Sequence, residues 1–343
     1  MMRRFYVLLL MVILAVTAYS KVFVVDGIKY GTDTWSDHIK GHMLPDLEDG
    51  SGFAIVLGLE NSSFSGELVI PETVSHDRDV LNVKYIDAHA FENCENLTSV
   101  TIGAKVEYIM YRAFYGSLNL SQFNIPTSVT EVGSQAFEGT AWYNGQPDGF
   151  VYKDNVLLGR KSLGTADVEG HVDIVDGTRV IGDRVFMYCQ RMTSVNIPNT
   201  VVFIGESAFF QAGITELTIP NSVTNIFSDA FNYCDGLKKV SLGSSVEVIN
   251  DNAFHFCTDL ISINLPASVK SIGAEAFYGC VSLAEVVSNI SEPFPIRNKT
   301  FDPTEWNSAT LYVPVGTKAK YEATEGWNVF QDIVEMVSLD PIE

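Results

Sequence analysis

The chain is poor in positive charge. Its 343 residues include 22 lysines and arginines against 42 aspartates and glutamates, which gives a formal net charge of −20 at pH 7. Such a field repels phosphate backbones and anionic lipid headgroups, so nucleic acid is a poor candidate partner. Because no single acidic block dominates, the charge otherwise favours solubility.

Long apolar runs are also scarce. Beyond residue 20 no segment reaches the length of about 20 apolar residues that crosses a bilayer, which predicts no membrane insertion of the mature protein. Residues 5–16 are apolar, follow Arg3 and Arg4, and precede small residues at Ala18 and Ser20. This order is typical of a secretory signal peptide, and a buried first strand is the alternative. We predict export to the cell surface, the extracellular space or the periplasm.

Motifs that carry chemistry are missing as well. The chain contains no G-x-S-x-G elbow, no P-loop and no Rossmann glycine fingerprint. Among the six histidines, His38 and His42 have an i, i+4 spacing that suits metal ligands on a helix, but no third ligand accompanies them. The sequence therefore predicts a protein that is not an enzyme, with no catalytic residues, no metal and no cofactor.

What the chain does have is a repeat anchored on phenylalanine. Eight anchors recur every 22 or 23 residues, apart from one spacing of 49, and each has Ile or Val five places before it. The anchors are Phe91, Phe114, Phe137, Phe186, Phe209, Phe231, Phe254 and Phe277. The accompanying runs "LTSVTI", "ITELTI" and "LISINL" have the L-x-x-L-x-L character of leucine-rich repeats. Because one coil cannot bury its own apolar face, the coils must stack into one cooperative solenoid.

These patterns predict an α/β repeat solenoid with coils of about 23 residues. The L-x-x-V-x-I run predicts one strand per coil, and the V-x-x-I segment predicts a second short strand. The G-x-x-A-F-x-x-C segment predicts a helical turn that places Phe and the residue three later on one side. The expected divisions are a signal peptide at 1–20, an N-terminal cap at 21–80, the solenoid at 81–290 and a C-terminal cap at 291–343.

The caps are expected because the ends of a repeat array would otherwise expose its core. In the first cap, Asp26-Gly27 between apolar runs predicts a hairpin. In the second, Thr317 is expected to N-cap a short helix that runs through Ala323. Trp35 and Trp142 also lie outside the regular coils, and Trp306 is expected to pack in the second cap. The residues expected to close the last coil are Trp327, Phe330, Ile333 and Val334.

All five cysteines lie three residues after an anchor phenylalanine. They are Cys94, Cys189, Cys234, Cys257 and Cys280. The other coils have Ser117, Thr140 and Ala212 in this slot, so the shared property is small size. We predict free, buried thiols that act as small hydrophobic groups. A disulfide between neighbouring coils is the alternative, because coils about 4.8 Å apart are within reach of such a bond.

The repeats resemble a known family. "IPNSVTNIFSDAFNYCDGLKKV" and "LPASVKSIGAEAFYGCVSLAEV" are similar to the BspA-type leucine-rich repeats of bacterial surface proteins. The resemblance extends to "GELVIPETV" before the first coil, to "GTAWYNGQPDGFVYKDNVLLGRK" and to "ATLYVPVGTKAKYEATEGWNVFQDIVEM". It implies a secreted or cell-surface protein that binds host or microbial surface proteins, as in adhesion, without catalysis. We expect this protein to be a monomer.

Two surfaces are candidates for that binding. The 49-residue spacing contains an inserted β-hairpin, predicted at about 141–166, whose aromatic and arginine side chains are typical of interface hot spots. The outward side of the L-x-x-V-x-I strands carries short polar residues on a regular sheet. The candidate contact residues are Trp142, Tyr143, Phe150, Tyr152 and Arg160 in the insert, and Lys239, Ser262 and Asn264 on the strands. The alternatives are aromatics that pack on the solenoid flank and a merely solvated strand surface.

Two other functions fit the same sequence. One is a structural component of the cell envelope, which would need no partner site. The other is a glycan-binding accessory protein, for which the acidic surface and exposed aromatics are the support.

Overall fold

The computed structural model is a β-solenoid of about 11 turns, built mostly of strands with few helices. The residues that it describes are 22–32, 52–61, 64–297, 299–301 and 309–336. Outside these ranges lie the predicted signal peptide, the His38 and His42 pair, Trp35 and Trp306.

The chain begins with antiparallel strands and then changes to parallel pairing. The first strands are β1 (Val22–Val25), β2 (Ile28–Thr32), β3 (Phe53–Leu59), β4 (Gly66–Ile70), β5 (Thr73–His76) and β6 (Asp79–Ile86). β1 pairs antiparallel with β2, and the turn between them has positive φ at Asp26 (51°) and Gly27 (78°), as a tight two-residue hairpin requires. β2 pairs antiparallel with β3, and β3 pairs parallel with β6.

The coils follow in regular order. The next elements are β7 (Leu97–Ile102), β8 (Tyr108–Ile109), β9 (Gln122–Phe123), β10 (Glu131–Val132), helix α1 (Ala141–Asn144), β11 (Gly149–Lys153), β12 (Val156–Lys161) and β13 (Gly170–Asp173). Then come β14 (Val180–Ile181), β15 (Met192–Asn196), β16 (Phe203–Ile204), β17 (Glu216–Thr218), β18 (Asn225–Ile226), β19 (Lys239–Ser241), β20 (Val248–Ile249), β21 (Ser262–Leu265), β22 (Ser271–Ile272) and β23 (Glu285–Ser288). The described chain ends with β24 (Thr310–Val313), helix α2 (Lys318–Ala323), a 3-10 turn (Trp327–Val329) and β25 (Asp332–Glu335).

Two sets of parallel strands form the two sides of the solenoid. The L-x-x-V-x-I runs and the strands that pair with them form β4-β7-β9, β13-β15 and β17-β19-β21-β23-β24-β25. We call the outward side of these strands the main strand face. The V-x-x-I segments supply β6-β8-β10 and β12-β14-β16-β18-β20-β22 on the other side. Corresponding residues of adjacent coils pair directly, as Lys239 does with Ser262. This register stacks each apolar position on itself, so each core cluster is continuous through its own coils.

The anchor phenylalanines form columns in the core. Their rings are almost fully buried, and neighbouring rings lie nearly parallel with centroids 4.8–5.4 Å apart. Seven of the eight anchors also donate a backbone hydrogen bond to the following coil, as when Phe231 N–H donates to the carbonyl of Ala253 at 2.8 Å. Phe301 continues the column beyond the eighth anchor. Ring stacking and backbone bonding therefore fix the same register.

The segment that carries each anchor is a pair of tight turns, and the helical turn expected there is not confirmed. The residues two before and two after each anchor have positive φ, for example Asp229 (58°) and Tyr233 (56°) around Phe231. A left-handed residue on each side of the anchor interrupts a right-handed helix before it can complete a turn. Phe and the residue three later still share one side, because Cys234 N–H donates to the carbonyl of Phe231 at 3.2 Å.

The 49-residue spacing contributes strands to the solenoid itself. β11 and β12 pair antiparallel through a turn with positive φ at Asp154 (47°) and Asn155 (66°), and β12 pairs parallel with β14. The ring of Phe150 lies 5.3 Å from that of Phe186. Along β12, Leu157 packs in the C-terminal core cluster, whereas Val156 and Leu158 pack in the N-terminal one. β12 therefore contributes side chains to both core clusters, as β14 does through Val180 and Ile181.

The five cysteines are free, which confirms the thiol prediction over the disulfide alternative. Four of them are buried, but Cys94 is only half-buried, so the prediction of burial was wrong for this residue. Leu68, which stands 23 residues before Phe91, lies in β4 and pairs with Val100 of β7, so it does not occupy an anchor turn.

The C-terminal elements close the last coil with three of the four expected residues. Trp327 is fully buried, and its Nε1–H donates to the carbonyl of Phe294 at 2.9 Å. Phe330 and Ile333 are also buried, at 8% and 6% exposure. Val334 is 42% exposed, because successive side chains of β25 point to opposite sides of the sheet. The expected role of Val334 was therefore wrong.

Thr317 precedes helix α2 as expected but does not cap it. Its hydroxyl donates to the carbonyl of Pro314 at 2.6 Å and makes no hydrogen bond to the helix. The amide of Lys318 instead donates to Oε1 of Glu335 at 3.1 Å. A carboxylate from β25 therefore satisfies the first helical amide, and the capping prediction was wrong.

Candidate functional site

Tyr143, one of the candidates in the insert, belongs to the core. Its side chain is 7% exposed, and its hydroxyl donates to the carbonyl of Arg160 at 2.9 Å. Burial, followed by the charge of Glu138, raises the pKa of Tyr143 to about 12. Its backbone amide is held by Oγ1 of Thr140 at 3.1 Å, which caps α1. Tyr143 therefore fixes the insert in place and offers little surface to a partner.

The other aromatic candidates of the insert are half-buried. Trp142 meets Phe123 edge to face with ring centroids 5.1 Å apart. Phe150 and Tyr152 pack against the C-terminal core. The Tyr152 hydroxyl accepts a long hydrogen bond from the amide of Val175 at 3.4 Å. The structure thus brings these rings onto the flank of the solenoid, and only their outer parts are available for contact.

Arg160 lies beside the same flank. Its Nη1 donates to Sγ of Cys189 at 3.1 Å, and burial raises the pKa of that thiol while Arg160 opposes the shift. A cavity of about 220 Å³ is lined by Tyr143, Arg160 and Asp183 among others. Burial, then the charges of Glu131 and Glu206, raise the pKa of Asp183 well above its usual range. Within the described ranges, no group of three His, Cys, Asp or Glu side chains is arranged to hold a metal ion.

The three candidates on the strands lie together in the C-terminal half of the main strand face. Lys239 pairs with Ser262 in register, and Ser262 pairs in turn with Glu285. Asn264 lies two residues from Ser262 on the same side and accepts a hydrogen bond from Nδ2 of Asn289 at 2.7 Å. Lys239 and Asn264 are exposed, and Ser262 is half-buried. The face here is regular, polar and of mixed charge.

The sequence analysis did not predict the apolar strip that lies at the C-terminal end of this face. The register pairs Asn264 with Val287, Val287 with Tyr312, and Tyr312 with Val334. Val287 and Tyr312 are half-buried. The signal was available, because "TLYV" in β24 alternates as the coil strands do, but the segment was assigned to a cap. A polar surface therefore borders an apolar strip.

A row of aromatic side chains along the anchor turns was also missed. Neighbouring ring centroids in this row are 4.5–6.0 Å apart. Each ring lies one or two residues after an anchor, so the signal was the runs "FMY", "FF", "FNY", "FHF" and "FY" in five successive coils. We define the aromatic row as Tyr188, Phe210, Tyr233, His255, Phe256 and Tyr278.

Comparisons with known proteins agree with the repeat pattern. Residues 61–144 and 171–304 match the BspA type leucine rich repeat region, in six copies. No curated protein sequence matches the chain. In the part of the chain that the structure describes, no helix has the length and apolar character needed to cross a membrane.

Three solved structures are similar at low identity. A leucine rich cell surface protein from Faecalibacterium prausnitzii is 19% identical, over 94% of this chain and 96% of that one, with a TM-score of 0.32. A leucine-rich repeat protein from Bacteroides ovatus is 20% identical, over 85% and 99%, with a TM-score of 0.30. The pneumococcal vaccine antigen PcpA is 15% identical, over 94% and 100%, with a TM-score of 0.31.

Proposed function

Because the chain belongs to the BspA-type leucine-rich repeat family, we propose that it is an exported protein-binding scaffold without catalytic activity. The members of this family are bacterial cell-surface proteins and non-enzymatic repeat proteins. The proposed partners are proteins of host or microbial surfaces, bound in adhesion by a monomeric scaffold. The proposed route is export directed by residues 1–20.

The observation that carries this proposal is the grouping of the candidate residues on the main strand face. Lys239, Ser262 and Asn264 lie in one polar patch, and the strip of Val287 and Tyr312 borders it. A protein interface combines an apolar centre with a polar rim, and stacked repeats offer such surfaces over a long distance. The strands are fixed by their neighbours, so binding costs little ordering of the backbone.

The insert provides a second, smaller surface for the same function. The outer parts of Trp142, Phe150, Tyr152 and Arg160 lie on the solenoid flank, where we propose that they extend the contact. Tyr143 was a candidate for direct contact from its residue type, and we now propose a positioning role for it, because its ring is buried.

The test is capture of host extracellular and microbial surface proteins by the mature chain, with two matched variants. The first variant, Lys239→Glu with Ser262→Arg and Asn264→Arg, blocks the main strand face without changing the net charge. The control, Lys270→Glu with Ser271→Arg and Asn225→Arg, makes the same changes on the opposite set of strands.

We expect the affinity of the first variant for its partner to fall more than about tenfold, because bulky charged side chains prevent close packing. The control should bind as the unmodified chain does. Equal binding by both variants would show that the main strand face is not the contact surface. Labelling of intact cells addresses the structural alternative, because a buried envelope component would not be labelled from outside.

A further inference from the structure

We propose that the aromatic row on the anchor turns is a docking site for an arginine-rich segment of a partner protein. The inference rests on the proposed protein-binding function, but it concerns a different surface from the main strand face. It therefore assigns a partner chemistry to a part of the molecule that the strand-face proposal does not use.

The row is continuous and rigidly held, and two of its six rings are exposed while the other four are half-buried. Tyr188 and Tyr233 are 46% and 39% exposed. The backbone of each coil fixes the next along this edge, as when Tyr233 N–H donates to the carbonyl of His255, and Phe256 N–H to that of Tyr278, both at 2.8 Å. Rings that are already ordered lose little freedom on binding, and exposed tyrosines are frequent hot spots of protein interfaces.

Along its last three turns the row is surrounded by charge of one sign, whereas Arg184 and Arg191 lie in the same turn as Tyr188. The three consecutive anchor turns 228–236, 251–259 and 274–282 contain five acidic residues and neither lysine nor arginine. These acidic residues are Asp229, Asp235, Asp251, Asp259 and Glu275. Burial lowers the pKa of His255, against the opposing charges of Glu275 and Asp229, and so favours the uncharged ring. A partner that carries positive charge is therefore attracted here.

The N-terminal coils show what such an edge binds. There the guanidinium of Arg112 lies 4.2 Å from the ring centroid of Tyr115 and 5.3 Å from that of Tyr111. The same guanidinium is 3.7 Å from Oε1 of Glu92, and its Nε donates to Gln135 at 2.9 Å. Aromatic rings and a carboxylate on the anchor turns therefore hold an arginine of the chain itself.

The three acidic turns have the rings and carboxylates without the arginine, whereas the turn of Phe186 has Arg184 in the equivalent place. Arg112 lies two residues before its anchor, and the equivalent positions in the three acidic turns are Asp229, Asn252 and Glu275. A guanidinium suits the missing place better than an ammonium, because it is planar, stacks on rings and donates to carboxylates in a fork. We infer that a partner supplies in these coils the group that Arg112 supplies earlier.

The repeat also sets a spacing for the partner. Adjacent coils are about 4.8 Å apart and an extended chain rises about 3.3 Å per residue. Two coils therefore span roughly the same length, about 10 Å, as three residues of an extended peptide. In the polyproline II conformation, with three residues per turn and a rise of about 3.1 Å, every third side chain points the same way. A peptide in this conformation with arginine at every third position would place one guanidinium over every second coil, in line with the row.

The experiment uses the mature protein and a fluorescent peptide with three arginines at every third position among glycines and serines. Its control peptide has citrulline, which has the same shape without the charge. Anisotropy should show saturable binding of the arginine peptide that weakens at least about tenfold between roughly 50 and 300 mM salt. Equal binding of the citrulline peptide, or no saturable binding of either, would overturn the inference.

Two variants and a control locate the site. Asp235→Asn with Glu275→Gln removes two charges from the edge, and Tyr188→Ser with Tyr233→Ser removes two rings. Each should weaken peptide binding by about tenfold. The control, Asp173→Asn with Glu285→Gln, removes the same charge from the main strand face and should change binding by less than about twofold.

Equal weakening by the control would mean general attraction to an acidic protein, and it would overturn the site. A glycan array tests the remaining alternative. If the protein binds a glycan saturably but binds no peptide, and the Tyr188→Ser, Tyr233→Ser variant loses the glycan, then the row is a glycan site and the peptide proposal is wrong. Partner capture by the main strand face is measured separately with its own variant. If the aromatic row does not bind the peptide, the proposed function is therefore not contradicted. If the main strand face does not capture a partner, the proposal for the aromatic row is not contradicted either.

Discussion

The thiol of Cys257 donates a hydrogen bond to the backbone carbonyl of Phe231 in the preceding coil, with sulfur and oxygen 3.3 Å apart. Three other coils repeat this contact between a side chain three residues after an anchor and the anchor carbonyl before it. The pairs are Cys234 with Phe209, Cys280 with Phe254, and Ser117 with Phe91. The slot therefore favours a small side chain that can also donate, and small size alone does not describe it.

The slot makes a graded prediction for Cys257. Cys257→Ser keeps the donor and should lower the free energy of unfolding least. Cys257→Ala removes a buried hydrogen bond, which is worth about 0.5–1.5 kcal/mol. Cys257→Leu overfills the slot and should cost about 1–3 kcal/mol. Urea unfolding of the three variants measures the order, and a leucine variant as stable as the serine variant would contradict the tight slot.

Thiol reactivity should separate Cys94 from the other four cysteines. Cys94 is half-buried, whereas the rest are buried, and burial raises the pKa of every thiol in this position for which a shift is resolved. Native protein at neutral pH should react slowly at one thiol, and denatured protein should react at five. Peptide mapping identifies the modified residue. Rapid native modification of Cys257 would show that the solenoid opens in solution.

The buried thiols also predict a loss of stability in alkali. Burial raises the pKa of Cys234 from 9.0 to about 12, so the folded protein holds this proton more tightly than the unfolded chain does. The contribution to stability is therefore fully present below pH 9 and is lost as the pH rises toward 12. Urea unfolding from pH 8 to 11 should show less decline for Cys234→Ala than for the unmodified chain, and equal slopes would contradict the prediction.

The core column predicts a large effect of Phe254→Ala. Phe254 is fully buried between Phe231 and Phe277 at 5.2 and 5.4 Å. Removing its ring should cost about 3–5 kcal/mol. Tyr152→Ala is the matched control, since half-buried Tyr152 packs at the edge of the core and should cost much less. Equal losses in thermal unfolding would contradict the assigned coil register.

Substitutions at Tyr143 test whether this residue holds the insert in place. Tyr143→Phe removes only the hydrogen bond to the carbonyl of Arg160 and should cost about 0.5–1.5 kcal/mol. Tyr143→Ala also empties a buried site and should cost about 3–5 kcal/mol. Calorimetry measures both variants. If the alanine variant kept its stability but lost a bound partner, Tyr143 would be a contact residue after all.

The sequence was sufficient to predict what is periodic. The phase of the anchors places Phe231 and Phe254 in the core, because identical coils must stack their apolar positions in register. It did not predict the left-handed backbone at Tyr233, since a bulky residue with positive φ is locally unfavourable. Hydrogen bonds between coils impose that conformation, and a single coil's sequence does not contain them.

The candidate surfaces were predictable only where they follow the strand alternation. Lys239, Ser262 and Asn264 are on the expected side because side chains alternate along a strand. Tyr143 was predicted to be a contact residue from its type, yet its hydroxyl donates a hydrogen bond to a carbonyl 17 residues away. The pairing of β12 with β14 is similarly non-local, so the spacing alone predicted only an inserted hairpin. The predicted domain boundaries stay predictions.

The division of the core at β12 has a mechanical consequence. Leu157 packs in one core cluster, and its neighbours Val156 and Leu158 pack in the other. The two core clusters, and the two segments of the phenylalanine column, therefore meet near this strand. A pull along the axis loads every coil in series. Among the described strands no pairing joins β9 to β13 or β10 to β12, so we expect a stretched molecule to part here first, with the chain between β10 and β12 linking the two stacks.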